Sequence, residues 1–242
     1  RGGVSSRSAA RANRRASSQD AEEALVTACR EGNLHKVNEL LESGANANSM
    51  AGAGYTALYA ACGRGHAGIA SRLLGAGAEI NQPSGLNYLP LHAACQQGHT
   101  LVVALLLRRD GVDVNGVIED GSTPLYIACC DGHHEVVELL LRHDGIDVNR
   151  ARKDAVTPLF IACFKGHREV VELLLRLDRL DVNRANENDL TPLYIACQEA
   201  HHKVVELLLR HDGVDVNRAR EDGATPLYIA CQEAHHKAVE LL

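Results

Sequence analysis

The side chains of this chain best suited to redox or metal chemistry are its eight cysteines and thirteen histidines. Seven of the cysteines (Cys29, Cys62, Cys95, Cys129, Cys163, Cys197 and Cys231) recur at steps of 33 or 34 residues. Zinc sites draw on close pairs such as Cys-x-x-Cys, and disulfide frameworks pair cysteines at different positions of a fold. Neither pattern is present. Cysteines repeated at one position are instead expected to form a row of buried, reduced thiols, each a small apolar residue. Cys130, one step off the row, is expected to be more exposed.

The histidines fail a similar test. His134-Glu135-Val136-Val137-Glu138 approaches the His-Glu-x-x-His zinc-protease pattern but lacks the second histidine. The pairs His133-His134, His201-His202 and His235-His236 would make a ladder, yet Arg168 interrupts it and Lys203 and Lys237 adjoin it. Cations beside a ligand set disfavour a metal, and converging ligands are lacking. No Gly-rich loop ends in Lys-Ser/Thr, and no Ser, Cys or Lys has a base and an orienting group around it. The sequence therefore predicts no catalytic residue, no metal and no cofactor, and the chain is read as not an enzyme.

The elements that carry these residues are repeats. Thr-Pro-Leu-aromatic-Ile-Ala-Cys starts at Thr123, Thr157, Thr191 and Thr225, 34 residues apart, with weaker copies from Leu89, Thr56 and Glu23. A period of this length marks a stack in which each unit touches only its neighbours. Within residues 119–150, Glu119-Asp120-Gly121-Ser122 is turn chemistry, Thr123 suits a helix cap and Pro124 its first turn. Leu125, Ile127, Ala128 and Cys129 make a short apolar helix stopped by Asp131-Gly132. His133 opens a second helix with Val136, Val137, Leu139, Leu140 and Leu141 on one face. Asp144-Gly145 ends it, and Ile146-Asp147-Val148-Asn149 runs extended into the next turn. Helices this short need stacked copies to bury their apolar faces.

Thr123-Pro124-Leu125, Gly132-His133, Val136-Val137, Leu139-Leu140-Leu141 and Asp147-Val148-Asn149 together resemble the ankyrin repeat family. The resemblance spans about residues 21–242. It implies an all-α fold, an ankyrin-repeat α-solenoid of stacked helix-turn-helix units with turn/loop fingers. Seven approximate repeats are expected: 21–50, 51–83, 84–116, 117–150, 151–184, 185–218 and a truncated 219–242. Two departures stand out. The family's His after Thr-Pro-Leu survives only as His92, with Tyr126, Phe160, Tyr194 and Tyr228 elsewhere. The Gly that ends the first helix becomes Ala200 and Ala234 in the last two repeats. A left-handed Ala costs about 1–2 kcal/mol, so the C-terminal repeats are expected to fray first. The resemblance also aligns Asn115, Asn149, Asn183 and Asn217 with a position that asparaginyl hydroxylases modify in related repeats; a loop hydrogen-bonding role is the stronger reading.

Charge and the two ends set the class of partner. Residues 1–20 hold five arginines against Asp20, making that stretch +4 and the remainder −10 of the chain's net −6. The acidic body disfavours nucleic acid, and no apolar run approaches the roughly 20 residues that cross a bilayer. The Arg/Ser-rich stretch 1–20 is expected to be a disordered tail. A transit peptide shares that composition, so organelle targeting stays open beside the cytoplasmic, intracellular location that free thiols suggest. Arg14-Arg15-Ala16-Ser17 resembles a basophilic kinase site, which makes Ser17 a phosphorylation candidate. The chain stops mid-helix at Leu241-Leu242 and is read as a fragment.

Ankyrin stacks generally bind proteins on the concave side formed by turn tips and first helices. Positions that change between repeats mark what packing leaves free. They give the candidate partner-binding residues Tyr55, Arg64, Tyr88, Gln97, Cys130, Asp131, Val156, Phe164, Lys165, Leu190, Gln198 and Glu199. Val156, Phe164 and Leu190 are apolar at positions expected to be wet, and Tyr55 and Tyr88 are candidate aromatic anchors. The alternative for these apolar residues is that they brace neighbouring turns. The function read from the sequence is a monomeric protein-binding scaffold. The alternatives are the recruiting segment of a larger enzyme, such as a kinase or ubiquitin ligase, and a plain spacer.

Overall fold

The structure is a computed structural model that describes residues 19–242 except 53 and 86. The chain divides into two compact units, Arg1–Asp113 and Val114–Leu242. The first contains α1 (19–31), α2 (Leu34–Glu42), α3 (Ala57–Gly63), α4 (Ala67–Gly75), α5 (Pro90–Gln96) and α6 (Thr100–Leu107). The second contains α7 (Pro124–Cys130), α8 (His134–Leu141), α9 (Pro158–Lys165), α10 (Arg168–Leu174), α11 (Pro192–Gln198), α12 (His202–Leu209), α13 (Pro226–Gln232) and α14 (His236–Leu241). The all-α expectation holds, with one addition. The finger before α3 closes as a small antiparallel pair, β1 (Met50–Ala51) with β2 (Tyr55–Thr56), in register Met50 to Thr56.

Each odd-numbered helix from α3 onward begins as its sequence dictates. Thr56, Thr123, Thr157, Thr191 and Thr225 are extended, and each hydroxyl accepts the amide three residues on, at 3.0–3.2 Å. At α5 a leucine stands in the cap position, and the roles reverse: the Leu89 amide donates to Nδ1 of buried His92 at 3.1 Å. The left-handed residue after each short helix then turns the chain. It is Gly65, Gly98, Gly132 and Gly166, and it remains left-handed at Ala200 (φ 57°) and Ala234 (φ 56°).

Two joints stack the pairs. His66, His99, His167, His201 and His235 cap the second helices, and their side chains reach back to the preceding pair. Each donates from Nε2 to a backbone carbonyl there, at Arg30, Gly63, Cys130, Phe164 and Gln198 respectively, over 2.9–3.4 Å. The ring lies on the left-handed residue: a Cβ at Gly132 would sit 2.7 Å from His167. The second joint is the asparagine of Asp-Val-Asn. Asn115 donates to Gly145 (2.7 Å) and accepts from Asp147 (2.9 Å), and Asn149 and Asn183 repeat the clasp on the loops that follow them. Asn81 does the same inside the first unit, to Gly111 and Asp113.

In the first unit α3 packs on α5, and α4 on α2 and α6; in the second, α7, α9, α11 and α13 form one row and α8, α10, α12 and α14 the other. Buried Leu, Ala, Val and Cys fill the space between rows. Six thiols of the row are buried, as expected, and Cys130 is half-buried. Cys231 corrects the expectation: it is exposed with Leu227 and Tyr228, because no described residue covers that side of α13. The tail expected over 1–20, with Ser17, falls outside the described residues except for Gln19 and Asp20, which lie in α1. Among the described residues no helix is long and apolar enough to cross a membrane.

Candidate functional site

The candidate residues sit at the ends of the first helices and on the fingers that precede them. The backbone there is committed while the side chains are free. Cys130, Phe164 and Gln198 each give their carbonyl to a stacking histidine, so packing fixes the main chain and leaves the side chain unspecified. One residue on, Arg64, Gln97, Asp131, Lys165 and Glu199 are all exposed. These positions can carry any charge without disturbing the stack, and in this chain they carry cations, anions and amides.

In the first unit Tyr55, Arg64 and Gln97 line one groove of about 510 Å³, and Tyr88 does not. Its floor is α3, where Tyr55 stacks on Tyr59 (centroids 5.3 Å apart, planes at 22°). Tyr59 is half-buried, and that burial pushes its phenol above the usual range. Tyr88 packs edge-on to His92 at 6.0 Å, so it braces its own helix. Arg30 and Tyr59 belong to the groove and were not singled out by the sequence. Tyr59 occupies the aromatic framework position, which is buried in α7, α9 and α11 and only half-covered here.

In the second unit the expected apolar patch is not assembled as pictured. Val156 is only 9% exposed, because Arg152 donates its amide to the Val156 carbonyl and the finger turns the valine inward. Phe164 and Leu190 remain half-exposed. Lys165 lies over the Phe164 ring at 5.2 Å. Cys130, Asp131 and Lys165 lie close enough to influence one another. Burial raises the Cys130 thiol and the Asp131 carboxyl, and Lys165 pulls both back. A thiol so raised is a poor nucleophile. Gln198 and Glu199 touch through their own side chains at 3.4 Å.

A finger contact in this unit had no signal in the repeat comparison. Arg152 lies over the Tyr126 ring (5.4 Å), donates to its hydroxyl (3.2 Å) and pairs with Asp154 (3.1 Å). Burial works to raise the Asp120 carboxyl, but hydrogen bonds from Ser122 and the Arg152 charge hold it below the usual range. Arg220 over Tyr194 (5.7 Å) repeats the arrangement. Between them Asn186 holds the repeat position of those arginines, and Phe160, at the position of Tyr126 and Tyr194, has no hydroxyl. Asn186 instead closes its own turn, accepting from the Asn188 and Leu190 amides. A residue-by-residue comparison of 152, 186 and 220 against 126, 160 and 194 carries that signal.

No group of three or more His, Cys, Asp or Glu able to hold a metal exists among the described residues. What recurs is helix pairs joined by histidine and asparagine hooks, with variable tips. The sequence matches the family described as "Ankyrin repeats (3 copies)" over residues 10–84, 91–186 and 159–242. This chain belongs to the ankyrin repeat family. Its ankyrin fold is similar to the crystal structure of the human ASB11 ankyrin repeat domain, with a TM-score of 0.79 and 28% identity, over 90% of this chain and 96% of that one. No curated protein matches the sequence. Ankyrin repeats are generally protein–protein interaction modules and typically non-catalytic.

Proposed function

We propose that this ankyrin chain is a scaffold that captures another protein on its concave face, through the finger tips and the exposed ends of the first helices. The observation that carries the reading is the division of labour at those ends. The carbonyls of Cys130, Phe164 and Gln198 hold the stack while Asp131, Lys165 and Glu199 stay exposed and take no part in those joints. The second-helix surface is different. Glu138 pairs with Arg142 (2.7 Å), Glu172 with Arg176 (3.0 Å) and Glu206 with Arg210, so these charges are already matched. A protein partner is favoured over nucleic acid because the chain beyond residue 20 carries net −10.

The test compares interaction partners captured by three forms of the full chain: unaltered, Phe164→Ala with Lys165→Glu and Glu199→Arg, and Glu138→Ala with Glu172→Ala. Partners lost with the first set and kept with the second support the reading. Partners lost only with the second set place recognition on the other surface and overturn it.

A further inference from the structure

We propose that the groove of the first unit takes an extended acidic segment of the protein partner, with two carboxylates at alternate positions so that both side chains face the two groove arginines. This rests on the protein-binding reading above and names the partner chemistry for one part of that surface. Three observations converge. First, the groove lining carries two guanidinium groups, Arg30 and Arg64, and no carboxylate. Neither arginine has an ion-pair partner among the described residues, whereas Arg72 is tied to Asn38 and Arg142, Arg176 and Arg210 are paired. Glu31, next to Arg30, lines a separate groove with Lys36. Second, Gly63 lines the groove and puts no side chain into it. The corresponding positions in later pairs hold Gln96, Cys130, Phe164 and Gln198, each with a side chain that would project there. Beside Gly63, the residues Ala60, Ala93 and Tyr59 add apolar lining to the groove that holds the two arginines. Third, Arg30 lies in the last turn of α1 and Arg64 caps α3, and the Arg30 carbonyl accepts from Nε2 of His66, two residues after Arg64. Stacked helices lie about 8–10 Å apart; alternate side chains of an extended chain share a face about 7 Å apart, and the long arginine side chains span the remainder. Two separated carboxylates match that spacing, where a single dianion would satisfy one arginine and leave the other unspent.

Gly63 also supplies the control. It is helical with a negative φ, and a Cβ there would meet only the Ala93 Cβ at 3.5 Å, an ordinary contact. Gly63→Gln, the residue present at 96 and 198, fills the groove without strain. The experiment selects a displayed random 12-residue peptide library against the full 242-residue chain and measures the enriched peptides by fluorescence anisotropy. The expected result is enrichment of peptides with two Asp or Glu at alternate positions, i and i+2. Their affinity should fall about tenfold or more with Arg30→Glu/Arg64→Glu and with Gly63→Gln, and stay unchanged with Lys165→Glu. Enrichment without acidic bias, or acidic peptides indifferent to both groove variants, overturns the proposal. A phosphoserine counterpart that binds where the carboxylate peptide does not overturns the choice of carboxylates. Peptides lost only with Lys165→Glu would sink this groove and leave the general protein-binding reading standing; peptides sensitive only to Glu138→Ala/Glu172→Ala would sink both.

Discussion

Asn149 and Asn217 hold the same letter in the repeat and do different work. Asn149 gives its amide to the Arg179 carbonyl at 2.7 Å and takes the Asp181 amide at 2.8 Å, tying two successive loops. Asn217 is exposed, and no further Asp-Val-Asn loop follows it among the described residues. Two hydrogen bonds at about 1 kcal/mol each, plus the polar groups they leave behind, make Asn149→Ala cost about 1–3 kcal/mol. Asn217→Ala should stay within about 0.5 kcal/mol. Urea denaturation of the two variants checks this, and equal midpoints would show that the clasp carries no stability. The left-handed alanines give a prediction of the opposite sign. Ala200 pays about 1–2 kcal/mol for φ 57°, and glycine removes that cost while adding freedom to the unfolded chain. Ala200→Gly should therefore stabilise by about 1 kcal/mol, read as a higher thermal midpoint; a lower midpoint would mean that the Ala200 side chain packs usefully.

At the scale of the helix, the thiol row is the feature most legible in the sequence and the one with a measurable titration. Burial pushes the Cys29 and Cys197 thiols up to about 12, and raises Cys62, Cys95 and Cys163 as well. Unfolded thiols ionise near their ordinary value of 9.0 while folded ones stay protonated, so above that pH the unfolded state holds fewer protons. The stabilisation is complete below about pH 9 and is lost as pH rises toward 12. Urea midpoints measured from pH 8 to 10.5 should fall, and Cys163→Ala should fall less steeply with pH than the unaltered chain. A parallel slope would mean that Cys163 ionises freely in the folded state. The row was readable because a strict period forces identical environments, and identical environments give identical residues. The same logic recovered Thr123 as a cap, Gly132 as a left-handed turn and Asn149 as a loop bonder. It failed where environments differ at one position. Val156 looked wet because the residues around it vary, yet its finger folds it inward. Tyr59 looked like framework, yet it lines a groove into which Gly63 puts no side chain. Arg152 was passed over because its partner, Tyr126, lies 26 residues away and only a paired comparison reveals it.

At the scale of the whole chain, stability should be graded, because units that touch only neighbours contribute nearest-neighbour terms. Among the described residues, the α13–α14 pair is covered on one side only. Leu227 is 44% and Tyr228 58% exposed, while their counterparts Leu193 and Tyr194 in α11 are buried. Each exposed apolar side chain forgoes about 1–3 kcal/mol of burial relative to its buried copy. Ala234 adds the cost of a left-handed alanine, and Asn217 contributes no clasp to a following loop. The hooks that remain are the bond from His235 to the Gln198 carbonyl (3.0 Å) and the Thr225 cap. These terms point the same way, so local opening of α13 and α14 should lie well below that of α7–α10. Native-state hydrogen exchange over the 242 residues reads this directly. Amides of α13 and α14 should exchange fastest within the second unit, those of α11 and α12 at intermediate rates, and those of α7–α10 slowest. Protection that peaks in α13 and α14 would mean that coverage by neighbours does not govern the stability of this stack, and the nearest-neighbour account of the fold would fail with it.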